Sequence, residues 1–509
     1  LNDKDVSSFL RIGTDFSENY YEYEIPMIIT NTFKPVDPLN VSDSERRIVW
    51  PTGNEVDLVL EELITLKRER NKLGIALNVP YTKVVNGRNM TIIGNPDIGL
   101  IKTIMLGVRN RALGDPFNFK AEDDGLSKCG EIWVNELRLS GLNEQGGTAS
   151  LANINFKIAD LGTVSLSGDM HTIGFGQIEQ RVDQRYRDFF YQYGINTNLN
   201  LGKFLPKVIG LQMPFFAQYS KSVSTPEFDP FTLDIKYADA ADDIQLRHGA
   251  DSAVNYLASG QTIDIKRGFS FANVRIAPEI KQKHPHVWDI QNFTFGYAFT
   301  SRKKSDPFIA SDWVRNYTGE VNYAFAGSPK YIEPLKGLFK KDIKMLRLVK
   351  DINFNLFPSS FSFGNKLDRR FGMLQQRSLP GEIGMTPNYD KYFTWDRNYG
   401  FAFNPFKSVS LAFSAGNKAR IDEPPGGLDT KKDVDSIWAN LYTFGRTTNY
   451  NHTLTASYNV PFAKIPFLDF VSSTIGYNSS FNWIAGPLKY DEPSNTIIAN
   501  PQGNMLNTT

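Results

Sequence analysis

The stretch ASLANINFKIADLGTVSLSGDM, residues Ala149–Met170, decides the fold class. Its period is two. Ala152, Ile154, Phe156 and Ile158 fall on one side, and Asn153, Asn155 and Lys157 on the other. The link Ala159-Asp160-Leu161-Gly162 then reverses the chain. In the returning run Val164, Leu166 and Met170 share a side, with Ser165, Ser167 and Asp169 opposite. Side chains of a strand point alternately to its two faces. Two such runs across a short Asp- and Gly-containing link predict an antiparallel hairpin.

The same alternation recurs to the end of the chain. Tyr193, Ile195, Leu199 and Leu201 oppose Gln192, Asn196, Asn198 and Asn200. Phe293, Phe295, Tyr297 and Phe299 oppose Asn292 and Thr294. Val409, Leu411, Phe413 and Ala415 oppose Ser408, Ser410 and Ser414. Leu454, Ala456, Tyr458 and Val460 oppose Asn451, Thr453, Thr455, Ser457 and Asn459. Ile475, Tyr477, Phe481 and Trp483 oppose Thr474, Asn478, Ser480 and Asn482. The pattern predicts about a dozen strands over 149–509, near or above the roughly 9–11 residues that cross a bilayer when tilted.

The links between them alternate in length. Short ones are expected near 159–162, 202–211, 278–289, 404–408 and 461–469. Longer ones are expected near 172–188, 223–265, 301–315, 364–390 and 417–445. The basic piece at 327–350, with Lys340, Lys341, Lys344, Arg347 and Lys350, is long although it falls on the short side. Short turns at one end and long loops at the other mark an outer-membrane β-barrel, with the short end periplasmic. Aromatics gather near strand ends, as in Phe189-Phe190-Tyr191, Phe215-Phe216, Tyr392-Phe393, Trp395 and Tyr399.

Composition fits this reading and excludes others. No run approaches the roughly 18 apolar residues of a membrane helix, and mean hydropathy is −0.33. Barrel strands escape that test because half their residues are polar. The 56 basic and 55 acidic residues nearly cancel, so no nucleic-acid partner is expected. The lone Cys129 forms no internal disulfide and reads as a small apolar filler. The chain starts at Leu1 without a signal peptide and ends Asn507-Thr508-Thr509. It is expected to be an internal piece of a longer chain.

Residues 1–148 differ. Val56, Val59, Leu60, Leu63 and Leu66 have helical spacing, which predicts one helix over Asn54–Asn71. Strands are expected at Tyr20–Ile28, Lys72–Val79, Ile101–Val108 and Glu131–Leu139. This forms a small globular α+β or β-sandwich domain. The expected class is thus all-β dominated: an antiparallel transmembrane β-barrel over 149–509 behind a globular domain over 1–148.

Catalytic chemistry is not expected. Gly174-Phe175-Gly176 lacks the third glycine of a phosphate-binding loop. His284-Pro285-His286 has no further ligand at a recognisable spacing. Glu122-Asp123-Asp124-Gly125 misses the ligand alternation of a calcium loop. No nucleophile, base and orienting group assemble. The expectation is no enzyme, no cofactor and no metal.

Several longer motifs resemble a known family. They are Phe9-Leu10-Arg11-Ile12-Gly13-Thr14-Asp15 with Asn19-Tyr20-Tyr21-Glu22-Tyr23-Glu24, then Gly130-Glu131-Ile132-Trp133-Val134-Asn135-Glu136-Leu137-Arg138-Leu139. Asp183-Gln184-Arg185-Tyr186 and Phe393-Thr394-Trp395-Asp396-Arg397-Asn398-Tyr399 complete the set. The chain resembles the SprA/Sov family, the outer-membrane translocon of the type IX secretion system in Bacteroidota. The resemblance implies a chain several times longer and a barrel of about 36 strands, of which this piece is an arc. It implies export of folded cargo proteins carrying C-terminal targeting domains to the cell surface. It also implies a PorV-like outer-membrane barrel beside a lateral opening, a periplasmic plug protein, and a tie to gliding motility through adhesin export.

Under that reading Asn153, Asn155, Asn196, Asn198, Asn200, Asn451, Thr453, Asn478 and Asn482 face the lumen. Uncharged polar groups hydrate a wall without holding cargo, whereas small-ion pores use charged rings. The alternative is a TonB-dependent-type outer-membrane nutrient transporter, which shares strands and long loops but closes at about 22 strands around a plug domain. A surface adhesin without a pore is a further alternative.

Overall fold

The computed structural model describes residues 1–30, 40–120, 124–141, 144–277, 286–335, 337, 347–378, 384–465, 468–486, 488–491, 496–499 and 507–508. It is dominated by antiparallel sheet and divides into two compact units. One unit draws on residues 1–149, 171–190 and 224–261, the other on 150–170, 191–223 and 262–509. The basic residues Lys340, Lys341 and Lys344 lie outside the described residues, as do Glu122, Asp123, His284 and Pro285.

The first unit is built on a five-stranded sheet in the order β3-β4-β2-β1-β5. The strands are β1 Ser7–Gly13, β2 Tyr20–Pro26, β3 Tyr81–Val85, β4 Arg88–Ile93 and β5 Thr103–Arg109. Helices α1 Asp43–Val49 and α2 Leu60–Lys72 lie between β2 and β3. Glu61 and Glu62 sit in the first turn of α2, with Arg70 and Lys72 in the last, each matched to the helix dipole. Gly74, at φ +66, ends it. Leu63 and Leu66 pack on Leu10, Ile12, Tyr21, Tyr23, Ile25, Met90 and Ile92 as one buried core. Each fully buried side chain of this size contributes about 1.5–3 kcal/mol.

Residues 224–261 of this unit form more than the expected loop. Helices α3 Tyr237–His248 and α4 Ala250–Gly260 meet at Gly249, φ +86. Before them, Leu233 and Asp234 take left-handed φ of 57° and 54°, a strained choice for leucine. The turn places the Asp234 carboxylate where Lys67 donates at 3.3 Å, Tyr21 Oη at 2.9 Å and the Ile98 N–H at 2.6 Å. Lys67 also donates to the Pro96 carbonyl at 2.8 Å. Burial pushes the Lys67 ammonium down to about 8 and the Asp234 carboxyl up from its ordinary range.

Two expected strands of this unit are absent. Lys72–Val79 is helix end and turn, and pairing begins at Tyr81. The actual hairpin turns on Asn86-Gly87, both at positive φ as a two-residue turn requires. Glu131–Leu139 alternates like a strand but is irregular, and Trp133, Val134, Leu137 and Leu139 are exposed. Among the described residues no neighbouring strand offers it a ladder. Cys129 is exposed rather than a core filler. The helix begins at Leu60, not Asn54, and α1 precedes it behind a Ser42–Glu45 capping box.

The second unit carries the meander. Its strands are β6 Ala149–Ile158, β7 Gly162–His171, β8 Asp188–Asn200, β9 Leu211–Gln212, β10 Pro214–Pro226, β11 Thr262–Ile276, β12 Phe293–Ser305 and β13 Ile309–Ala326. The four-residue α5 Arg347–Lys350 follows, then β14 Ser360–Gln376, β15 Asn388–Phe406, β16 Val409–Arg420, α6 Lys431–Tyr442, β17 Arg446–Val460 and β18 Ser473–Ile484. They pair in chain order from β6 to β18, with the two-residue β9 beside β11. No closure of this sheet into a barrel is present among the described residues.

The link lengths alternate less cleanly than expected. β12 and β13 join through Asp306-Pro307-Phe308, not through a loop over 301–315. Asp306 Oδ1 accepts the Phe308 and Ile309 N–H groups at 3.0 and 2.8 Å and tightens the turn. The strands run on through Arg302, Lys303 and Lys304, which read as loop only because they are charged. β14 and β16 likewise extend to Gln376 and Arg420.

Candidate functional site

Strand register gives this sheet two unlike faces. The polar face is the candidate site. Asn451 opposes Asn482 and Thr453 opposes Ser480 across β17 and β18. Thr455 donates to Asn478 Oδ1 at 3.1 Å. Four of the nine expected wall residues therefore share one face of two neighbouring strands. Asn196, Asn198 and Asn200 share a face of β8 with Gly194, where an added Cβ would meet Ser167 Oγ at 3.2 Å and Ser220 Cβ at 3.5 Å. Asn153 and Asn155 alternate with exposed Ile154 and Phe156 on β6. Nothing draws the nine into a pocket; they line a surface.

Between these residues runs a ladder that sequence reading did not find. Asn322 opposes Gly364, Gly364 opposes Asn398, Asn398 opposes Gly416 and Gly416 opposes Asn451. A Cβ at Gly364 would lie 2.9 Å from Asn322 Oδ1, and one at Gly416 2.6 Å from Asn451 Oδ1. The amides lean into the space that glycine leaves. The adjoining row is Ser362, Gly400, Ser414, Thr453 and Ser480. This half of the face is neutral, small and polar.

The other half is charged, which corrects the expectation of an uncharged wall. Glu320 opposes Lys366, Lys366 opposes Asp396 and Asp396 opposes Lys418. Lys366 pairs with Asp368 at 3.0 Å, Arg302 with Asp264 at 2.9 Å, and Arg370 with Asp390 at 2.9 Å. Exposed pairs of this kind contribute about 0–1 kcal/mol each, so their main effect is on the field. Opposite signs side by side leave little net potential. The signal was present in Lys366, Asp368 and Arg370 at alternate positions, a charge pattern of period two.

The opposite face is mostly apolar and largely exposed. Phe295, Tyr297, Phe361, Phe401, Leu454, Tyr458, Ile475 and Tyr477 are all exposed, with Ile475 at 60%. A hollow of about 730 Å³ opens on this side above Gly319, edged by Phe295, Tyr297, Leu367, Trp395 and Phe444. It holds no grouping of acid, base and nucleophile. Among the described residues no cluster of His, Cys, Asp or Glu has the makings of a metal site. His286 stacks on Trp288 and lies 3.8 Å from Asp289. Asp124 is taken up by Lys128 at 2.5 Å.

Residues 1–241 match the family SprA_N, described as motility related/secretion protein. No curated protein matches the chain.

Proposed function

The chain belongs to the SprA/Sov family of motility- and secretion-related proteins, and from that premise we propose that its β6–β18 sheet is an arc of a protein-conducting outer-membrane barrel. The polar face lines the conduit and the apolar face meets lipid. Further strands complete the wall. The conduit exports folded cargo with C-terminal targeting domains through the type IX secretion system and so serves surface adhesin export and gliding. A PorV-like barrel and a periplasmic plug protein are its proposed partners. It works by passage, not by catalysis.

One observation carries this reading: a long antiparallel sheet with a largely exposed apolar face and a polar, charge-balanced opposite face. Contiguous exposed apolar surface on this scale calls for a partner or a membrane. A backbone in hydrocarbon needs every N–H and C=O paired, which a closed sheet provides. A wall that carries neutral amides and paired charges has no strong field to hold a passing protein.

Site-specific photo-crosslinking in the full-length protein tests it. A crosslinker at Thr453 is expected to capture cargo during export, and one at Leu454 to capture lipid or nothing. Equal capture of cargo at both positions would contradict the reading.

A further inference from the structure

The apolar face is not uniform. At the end where β12 turns into β13 it carries a band of basic residues. Arg267 opposes Ser301, Ser301 opposes Arg315, Arg315 opposes Phe371 and Phe371 opposes Lys391. Three cations thus stand on one row across five strands. Lys303 lies one row nearer the turn, opposite Trp313. Arg369 lies one row farther from it, opposite Phe393. On this face of β11 to β16 the strands place no aspartate or glutamate. One acid that reaches it is Glu423, from the link after β16, which pairs with Arg369 at 2.6 Å.

The contrast with the polar face is chemical. There every basic row meets acids on the strands themselves; here the strands carry cations alone, and the acids come from the link after β16, Glu423 beside Arg369 and Asp433 near Lys391. Aromatic rings are interleaved with the cations. Arg315 lies 4.7 Å from the Trp313 ring centre, and Lys391 lies 5.5 Å from that of Phe371. Arg267, Lys303 and Arg315 are exposed. Arg397, deeper on the face, folds over Trp395 and donates to Asn417 at 2.7 Å.

We propose that this band is a docking surface for the phosphorylated headgroups of glycolipid, a reading that assigns this end of the strands to the leaflet carrying that lipid. The inference rests on the barrel reading above, since it needs the apolar face to meet lipid. Three neighbouring rows span about 13 Å along the strands at about 3.3 Å per residue, and less along the membrane normal when tilted. That suits a headgroup layer, while the rows beyond it are largely aromatic and aliphatic as a hydrocarbon zone requires. Basic residues beside an anionic membrane surface gain from it one by one. Lys391 is held by the Pro424 and Gly426 carbonyls at 2.5 and 2.6 Å, whereas Arg267, Lys303 and Arg315 are exposed and favour phosphate over a neutral headgroup.

The test uses the full-length protein in nanodiscs of phosphatidylcholine. Added lipid A is either phosphorylated or enzymatically dephosphorylated, and retained lipid is read by mass spectrometry. Wild type is expected to retain the phosphorylated form at least about fivefold over the dephosphorylated one. The triple substitution Arg267→Gln, Arg315→Gln and Lys391→Gln is expected to abolish that preference. Equal retention of both forms by wild type overturns the proposal, as does an unchanged preference in the triple variant. Equal enrichment of phosphatidylglycerol overturns it too, because any anion then suffices. Heat-modifiable migration of the same samples reads the barrel separately. A heat-modifiable protein without lipid preference loses only the headgroup surface, whereas a protein that is not heat-modifiable loses both readings.

Discussion

The globular unit and the meander are built from the same alternating strands, yet they resolve their apolar faces differently. In the first, α2 covers the sheet, and Leu63 and Ile92 are wholly buried. In the second, Leu454, Ile475 and Tyr477 stay exposed on strands that are longer and just as regular. Alternation specifies a two-sided strand, not what covers its apolar side. A helix of matching pattern nearby in sequence supplies the cover in one unit. In the other, links reach parts of the face, as where Tyr323 donates to the Val287 carbonyl and Phe444 stacks on Trp395, but Leu454, Ile475 and Tyr477 keep their exposure, which leaves that stretch for an environment outside the described chain.

The largest predicted effect lies in the buried pair. Lys67→Met leaves the Asp234 carboxylate with Tyr21 and the Ile98 N–H alone, and is expected to destabilise the globular unit by about 3–5 kcal/mol. Adding Asp234→Asn removes the unpaired charge and keeps a residue suited to positive φ, so part of that loss should return. Hydrogen exchange of α2 amides in the full chain checks both; unchanged protection in Lys67→Met would remove the pair from the account.

A smaller effect separates the two units directly. Leu63→Ala opens a cavity in a packed core and is expected to cost about 2–5 kcal/mol. Leu454→Ala removes a side chain that packs little against protein and should cost well under that in detergent. Thermal unfolding that ranks the two alike would erase the distinction. Smaller still is Gly416→Ala. Its methyl displaces the flexible Asn451 amide, so about 0.2–1 kcal/mol is expected, the scale of one cross-strand pair. A loss of several kcal/mol would mean that the ladder is rigid.

Much of the meander was legible because period two survives wherever residues are neutral. The Lys407-Ser408 turn fell where Phe406 and Val409 bound it. Strand ends were misplaced where the alternating residues were charged, as at Arg302 to Lys304, because charge reads as loop. The neutral wall residues were visible one by one. The asparagine–glycine ladder was not, since it exists only across strands and depends on register. In the globular unit Asn86-Gly87 marked the hairpin in plain sight, while the β-rich string after Lys72 drew the strand too early. Glu131–Leu139 shows the opposite failure: a strong strand pattern without a neighbour to pair with.

The central claim is that the two faces of the sheet meet different media, and paired cysteines test it most directly. With Cys129 replaced by serine, Asn451→Cys and Leu454→Cys are introduced separately into the full-length protein in outer membranes. A membrane-impermeant thiol reagent is expected to label position 451 readily and position 454 hardly at all, with a lipid-soluble reagent giving the reverse. Labelling of both positions alike by the impermeant reagent would place both faces in water and contradict the account.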